Sequence, residues 1–336
     1  MLTSRGSYSG RGGFDDRIAL LSSDDEDSSE RARPARSRRR HSRMSSTSSE
    51  SPSRLPIKRL VLEGIVLLSL GLGVEVLFRL IGPPKRGFYC NDLSIGYVKT
   101  HNIVPTTALA IYVLLGTFLI MLVVELYRLF LHDPENHVSK LERGRAQGHR
   151  LGIRVGSFYG FFLLAFTITW ILTTITKFSV GRLRPYFLAA CKPDVEIYTA
   201  ACFQKPYYIE SVNCTNESEL KVDEARLSFF SGHSAFAMVA AVYIVCYLQS
   251  RLATTLKSRI VTPLLQAAVL SSGLAIAYSR IVDHSHHPTD VGVGIVVGTL
   301  IALVSAKFIG RLFDSVPARL SQSSNSVQTH PDLLNV

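Results

Sequence analysis

Residues 155–178 read VGSFYGFFLLAFTITWILTTITKF, an apolar stretch whose first charge is Lys177. About 20 such residues in a helix cross roughly 30 Å of hydrocarbon. The stretch has neither the polar face of an amphipathic helix nor the alternation of a half-buried strand. Outward from it the pattern recurs, at Leu60 to Ile81, Val104 to Phe130, Phe229 to Leu248, Val261 to Tyr278 and Val291 to Phe313. The expected fold class is all-α integral membrane, with six transmembrane helices. A soluble globular fold is excluded, as is a β-barrel, whose strands would alternate over about 10 residues. Composition agrees, since 47% of the 336 residues are hydrophobic and 19% charged, with a mean hydropathy of +0.21.

Polar residues concentrate at the start of the chain. Residues 1–59 are rich in Ser, Arg, Asp and Gly, with an acidic patch at Ser22 to Asp27 and seven arginines between Arg31 and Arg43. This composition predicts a disordered arm, followed by a six-span domain at 60–313 and a tail at 314–336. The arm lacks the apolar region of a cleavable signal, so the first span is expected to act as an uncleaved anchor. Lys140, Arg143, Arg145, Arg150 and Arg154 follow span two, and Arg251, Lys257 and Arg259 follow span four. The positive-inside rule puts these segments, the arm and both termini in the cytosol. Orientation thus accounts for the net charge of +11, and nucleic acid is not an expected partner.

Loops 82–103, 179–228 and 279–290 then face the exterior or a lumen. Asn213-Cys214-Thr215 and Asn216-Glu217-Ser218 are glycosylation sequons on that side, so Asn213 and Asn216 are candidate acceptors. Four of the five cysteines, Cys90, Cys191, Cys202 and Cys214, also lie there. They permit two disulfides in three pairings. Cys246 falls in span four and is expected to pack. Glu75 and Arg79, four apart in span one, are expected to neutralise one another or to snorkel.

Three polar clusters sit at the outer ends of the spans: Lys177-Phe178-Ser179-Val180-Gly181-Arg182-Leu183-Arg184-Pro185, Ser228-Phe229-Phe230-Ser231-Gly232-His233-Ser234, and Ser279 to Asp290 with His284, His286 and His287. Lys177, Arg184 and Arg280 are suited to neutralise phosphate oxygens, the arginines through a planar fork of donors. Amides around Ser231 and Gly232 at a helix start would point at the same anion, and Ser231 could add a hydroxyl. His286 precedes Asp290 by one helical turn, so the carboxylate could orient the ring as a nucleophile. His233 is placed to protonate the departing oxygen and then to activate water. No metal or cofactor is required, because three fixed cations take the role of a divalent ion. Each cluster alone has a plainer reading: interfacial anchors for the cations, and a transition-metal site or solvated loop for the histidines.

Together the clusters resemble the signature motifs of the type 2 phosphatidate phosphatase superfamily, KxxxxxxRP, PSGH and SRxxxxxHxxxD, with their internal spacing intact. Arg86-Gly87-Phe88-Tyr89-Cys90-Asn91-Asp92 and Val180 to Pro185 are similar to the animal integral-membrane lipid phosphate phosphatases. The resemblance covers 60 to about 313 and leaves out both tails. It implies that Lys177, Arg184, Ser231, Gly232 and Arg280 bind phosphate, that His233 is the acid, that His286 is the nucleophile and that Asp290 orients it. It further implies lipid phosphate monoesters as substrates: phosphatidate, lysophosphatidate, sphingosine 1-phosphate and ceramide 1-phosphate. The location implied is the plasma membrane with an extracellular site, or an internal membrane with a lumenal one. Homo-oligomer formation is compatible with the resemblance and is not readable from the residues. Phe230 stands where the second motif has proline, a departure that removes no charge or donor. A non-catalytic lipid-phosphate-binding protein is the alternative, and intact His233 and His286 argue against it. A transporter lacks support, since Glu63, Glu75 and Arg79 make no pathway across the midplane.

Overall fold

The computed structural model describes residues 57–132, 140–194, 208–256 and 258–313. The arm up to residue 56, Cys202, Lys257 and the tail 314–336 lie outside the described residues. The long helices are α1 (Ile57–Ile81), α2 (Thr106–Ala110), which passes through a π-helical turn into α3 (Thr117–His132), and α4 (Lys140–Val180). Two short helices follow, α5 (Phe187–Cys191) and α6 (Glu219–Ala225). Then come α7 (Gly232–Arg251), the short α8 (Ala253–Leu256), α9 (Val261–Val282) and α10 (Pro288–Val304). Among the described residues six stretches are long and apolar enough to cross a membrane, at Val61–Ile81, Thr106–Phe130, Gln147–Val180, Gly232–Leu256, Val261–Val282 and Pro288–Ile309.

Two expected loops differ. The basic segment from Lys140 to Arg154 is helical and continuous with span three, because Lys, Arg, Glu and Gln are good helix formers whatever their hydropathy. The expected loop 279–290 shrinks to 283–287. Ser279 and Arg280 complete α9, and Pro288 restarts the chain as a helix at the position where proline's missing N–H costs nothing.

α7 is the central helix, packed against α9, α10, α4 and α3. Its buried face is built from small residues, among them Ala235, Ala237, Ala240 and Ala241, which lets neighbouring backbones come close. Two glycines on successive turns of α10 use that access. A Cβ on Gly294 would lie 2.7 Å from the Ser231 carbonyl oxygen, and one on Gly298 2.4 Å from that of Ala235. On the other side a Cβ on Gly273 of α9 would meet that of Ala241 at 2.7 Å. Towards the far end of α7, Phe162, Tyr243, Tyr247 and Met121 fill the core. There buried Glu125 accepts from Arg251 Nε at 2.8 Å and from Tyr247 Oη at 3.1 Å, tying α3 to α7.

The site end carries a small cap with its own core of Phe88, Ile95, Leu183, Tyr186, Phe187, Cys191 and Ala225. The two-residue strand β1 (Phe88–Tyr89) pairs antiparallel with β2 (Tyr208–Ile209). Of the pairings left open above, Cys191–Cys214 is formed, Cys90 is also disulfide-bonded, and Cys246 is free and buried.

Replacing Gly298 by Ala should force α10 away from α7 and destabilise the protein by about 1–3 kcal/mol. Nothing lies within 4 Å of a Cβ at Gly292, so Gly292→Ala on the same helix is the control. Thermal unfolding of both variants in detergent checks this, with a lowered midpoint expected only for Gly298→Ala.

Candidate active site

One cavity of about 280 Å³ opens among the helix ends, and Lys177, Arg184, Gly232, His233, Arg280 and His286 all line it. Lys177 comes from the last turn of α4. The helix stops at Gly181, whose φ of +57° belongs to the left-handed region and which closes the last turn with an N–H bond to the Lys177 carbonyl at 2.9 Å. A Cβ there would strike Pro84 Cγ at 2.3 Å, so glycine is needed on two counts. The turn sends the chain back over the cavity, where the Arg184 N–H bonds the Ala225 carbonyl at 2.8 Å. Arg280 closes α9 with its side chain 2% exposed and Nη2 2.5 Å from Asp283 Oδ2, an ionic contact rather than a directed hydrogen bond.

Three basic side chains of the motif clusters thus share one small space. Arg184 has one loose acidic partner among the described residues, Glu224 at 3.4 Å, and its Nε is buried without an acceptor. The Arg184 guanidinium in turn holds the Glu224 carboxyl below the usual carboxylate range. At Gly232 a Cβ would stand 3.8 Å from Lys177 Nζ, so bare backbone faces the ammonium. The N–H groups of Gly232 and His233 open α7 and have no intrahelical acceptor. The arrangement is that of an anion site.

The histidines enter from opposite walls. His233 stands in the first turn of α7, its ring bonded to the Val104 backbone and Nε2 buried without a partner. His286 lies in the short α9–α10 link, 3% exposed. Its Nδ1 is 3.4 Å from Ser228 Oγ and 3.9 Å from Asp290 Oδ2, which leaves Nε2 for the cavity. Burial depresses the His286 imidazole pKa, against the pull of Asp290 and with help from the Arg184 and Lys177 charges, so the ring stays neutral and nucleophilic.

Asp290 meets His286 differently from the helical turn expected above. Because α10 begins at Pro288, His286 lies outside the helix and His287 caps it. Asp290 is the third residue of that helix and accepts the His287 N–H at 3.1 Å, a capping box. Its fully buried carboxylate also takes 2.6 Å bonds from Arg182 Nη1 and Ser228 Oγ. Ser228 therefore stands between the carboxylate and the imidazole, and Arg182 balances the charge. Ser231 is placed behind the cavity wall: its hydroxyl accepts from the Ser234 N–H at 3.4 Å, capping α7, and from Ser234 Oγ at 2.8 Å, and its N–H bonds the Asp290 carbonyl at 3.0 Å. The other two histidines are occupied elsewhere. His284 stacks on Tyr97 at 4.6 Å, and His287 Nε2 is 3.0 Å from the Leu183 carbonyl. Of the sequons, Asn213 is exposed, while Asn216 donates its amide to the Ala190 carbonyl at 2.7 Å.

Sequence reasoning did not assign the supporting group, Arg182, Ser228, Glu224 and Asp283. Three of these, Arg182, Ser228 and Asp283, belong to the quoted clusters, yet only the folded approach of α4, α7 and α10 shows what they hold. Glu75 and Arg79 do form the expected ion pair, at 2.7 Å, and they also line the cavity.

Fold and cavity together define a membrane-embedded phosphatase. The comparisons agree: the PAP2 superfamily profile matches residues 158–314, a range holding all three clusters. The chain is 35% identical over 255 residues to the phospholipid phosphatase homolog 1.2 homolog of Caenorhabditis elegans, covering 76% of this chain and 72% of that one. It is 31% identical over 281 residues to phospholipid phosphatase 2 of Homo sapiens, covering 81% and 90%. With phospholipid phosphatase 1 of Mus musculus the identity is 31% over 261 residues, covering 78% and 87%. The chain belongs to the PAP2 superfamily.

Ser228→Ala would take one donor from Asp290 and uncouple it from His286. Turnover should fall about tenfold with little change in KM, as steady-state kinetics on detergent-purified protein would show.

Proposed function

We propose that this chain removes phosphate from lipid phosphate monoesters, phosphatidate, lysophosphatidate, sphingosine 1-phosphate and ceramide 1-phosphate among them, by double displacement through His286. The observation that carries the reading is the meeting of His286, His233 and three cations around one cavity at the helix ends. The relatives' names as phospholipid phosphatases support the lipid substrate. So does depth: a phosphate on an acyl chain sits where transmembrane helices end.

The phosphate lodges among Lys177, Arg184, Arg280 and the first amides of α7. The lone pair of His286 Nε2 attacks phosphorus, and the bond from phosphorus to the lipid oxygen breaks. His233 gives its proton to that oxygen, releasing a lipid alcohol and leaving a phosphohistidine. Water then attacks phosphorus as His233 takes up its proton, the P–N bond breaks, and inorganic phosphate leaves. Asp290, fixed by Arg182, Ser228 and the His287 amide, stabilises the positive charge that develops on His286. We place the cavity on the outer or lumenal face with both termini cytosolic, at the plasma membrane or an internal one. Exposed Asn213 is the sequon best placed to carry glycan.

His286→Ala should abolish turnover of every substrate, by several orders of magnitude. His233→Ala should still accept phosphate from p-nitrophenyl phosphate, whose phenolate leaves unprotonated, and should accumulate acid-labile, base-stable labelled protein. Near-normal rates in His286→Ala, with loss in His284→Ala or His287→Ala, would reassign the nucleophile.

Fixed cations in the role of a divalent ion make activity resistant to excess EDTA. Vanadate should compete with substrate by occupying the five-coordinate phosphorus position. Full loss in EDTA restored by Mg²⁺ would exclude this mechanism.

A further inference from the structure

The mechanism leaves one polar pair on the cavity wall unused. Glu75 and Arg79 come from α1, the outermost span, whose main packing partner is α4 and which faces lipid along most of its length. Charges on such a helix cost free energy unless something holds them. Glu75 is held by α4: its Oε2 accepts from Thr174 Oγ1 at 2.6 Å and from Trp170 Nε1 at 3.3 Å. Its Oε1 accepts from Arg79 Nε at 2.7 Å. Gly71 fits α1 against the same indole, since a Cβ there would lie 2.8 Å from Trp170 Cε3. The guanidinium is therefore aimed from its Nε side, and its two terminal nitrogens have no partner among the described residues.

Level and direction follow from this. α1 and α4 run toward the same membrane face, and the Glu75 to Thr174 bond sets their register. Arg79 lies four residues beyond Glu75 and Lys177 three beyond Thr174, rises of about 6 Å and about 4.5 Å. Arg79 thus stands near the level of the phosphate cradle, on the wall built by α1 and α4, and His286 enters from the link between α9 and α10. In-line displacement drives the leaving oxygen away from His286. A lipid substrate held that way would carry its glycerol carbons and first ester carbonyl along the α1–α4 wall, whose apolar lining includes Trp170 and Phe178.

We propose that Arg79, positioned by Glu75, donates to the ester carbonyl nearest the phosphate, so that this enzyme prefers acyl over ether glycerolipid phosphates. The inference rests on the phosphatase reading of the cavity and adds to it a residue outside all three motifs. An ester carbonyl accepts hydrogen bonds well and an ether oxygen poorly, and the two lipids are otherwise alike in charge and chain. A snorkelling arginine that only reaches for headgroups would treat them equally.

The test compares 1-acyl with 1-O-alkyl glycerol 3-phosphate of equal chain length, at equal mole fraction in mixed micelles with the purified full chain. Wild type should show a kcat/KM about tenfold higher for the acyl lipid, the scale of a hydrogen bond from a charged donor. Arg79→Gln should bring that ratio to about one. Arg79→Lys keeps the charge but loses the fork, and it should bring the ratio below about threefold; it decides the matter if Arg79→Gln fails to accumulate. Because each ratio is taken within one variant, losses from poor folding cancel. Equal turnover of both lipids by wild type, or a wild-type ratio kept in Arg79→Lys, overturns this inference alone. Turnover of neither lipid by wild type overturns the phosphatase reading and the inference with it.

Discussion

The close approach of α10 to α7 is the constraint on which the site depends. With side chains at Gly294 and Gly298 the helices could not lie with would-be Cβ positions 2.7 and 2.4 Å from carbonyl oxygens of α7. That contact lets the Ser231 N–H reach the Asp290 carbonyl and Ser228 reach the Asp290 carboxylate. His233 opens one helix, and His286 precedes the other. Their meeting at one cavity follows from packing between small residues one and two turns away. In a bilayer, where lipid tails compete with any apolar contact, such packing is a principal means of fixing two helices.

The second constraint is electrostatic. Lys177, Arg184 and Arg280 repel one another, and the low dielectric of the surroundings strengthens the repulsion. The fold tolerates them by giving the two arginines unequal partners. Arg280 is locked to Asp283 at 2.5 Å, whereas Arg184 holds half-exposed Glu224 at 3.4 Å. On the proposed reading, a phosphate would displace the looser carboxylate and leave the tighter pair intact. Asp290 is kept out of this exchange. Three protein donors, Arg182, Ser228 and the His287 N–H, hold its carboxylate, and it is not among the residues lining the cavity. A carboxylate free to swing would neutralise the cations that substrate must find.

Much of this was legible beforehand, for reasons that differ by residue. Six spans could be read because apolar runs of membrane length have few alternative explanations. That Lys177, Arg184, His233, Arg280 and His286 would line one cavity could be read because a motif groups residues however far apart they lie in the chain. Helix ends were harder. The helical course of 140–154 was hidden because charge was taken to end a span, although propensity continues the helix. Ser231 is expected at the phosphate from its neighbours in sequence; in the fold its hydroxyl accepts from the Ser234 N–H and Oγ and its own N–H bonds the Asp290 carbonyl. Arg182 illustrates the general difficulty. Two residues from Arg184 and equally basic, it turns to the buried carboxylate, and only Gly181 and the cap decide which arginine faces which partner.

The periphery shows why α1 is more than an anchor. A helix that faces lipid on most sides gains little from burial, and α1 meets α4 through one close glycine, Gly71 against Trp170, where α10 meets α7 through two. Its polar ties to α4 run through one carboxylate, Glu75, bonded to Thr174 and Trp170. Those bonds lie one and two turns below Lys177, so any shift of α1 along α4 moves the cavity wall relative to the cradle. A tight seam would have held α1 as well and closed the cavity against the chain of a bulky lipid. A peripheral helix pinned at one polar point can keep its register and still yield sideways, and a site that must accept a headgroup still attached to a membrane-embedded chain needs both.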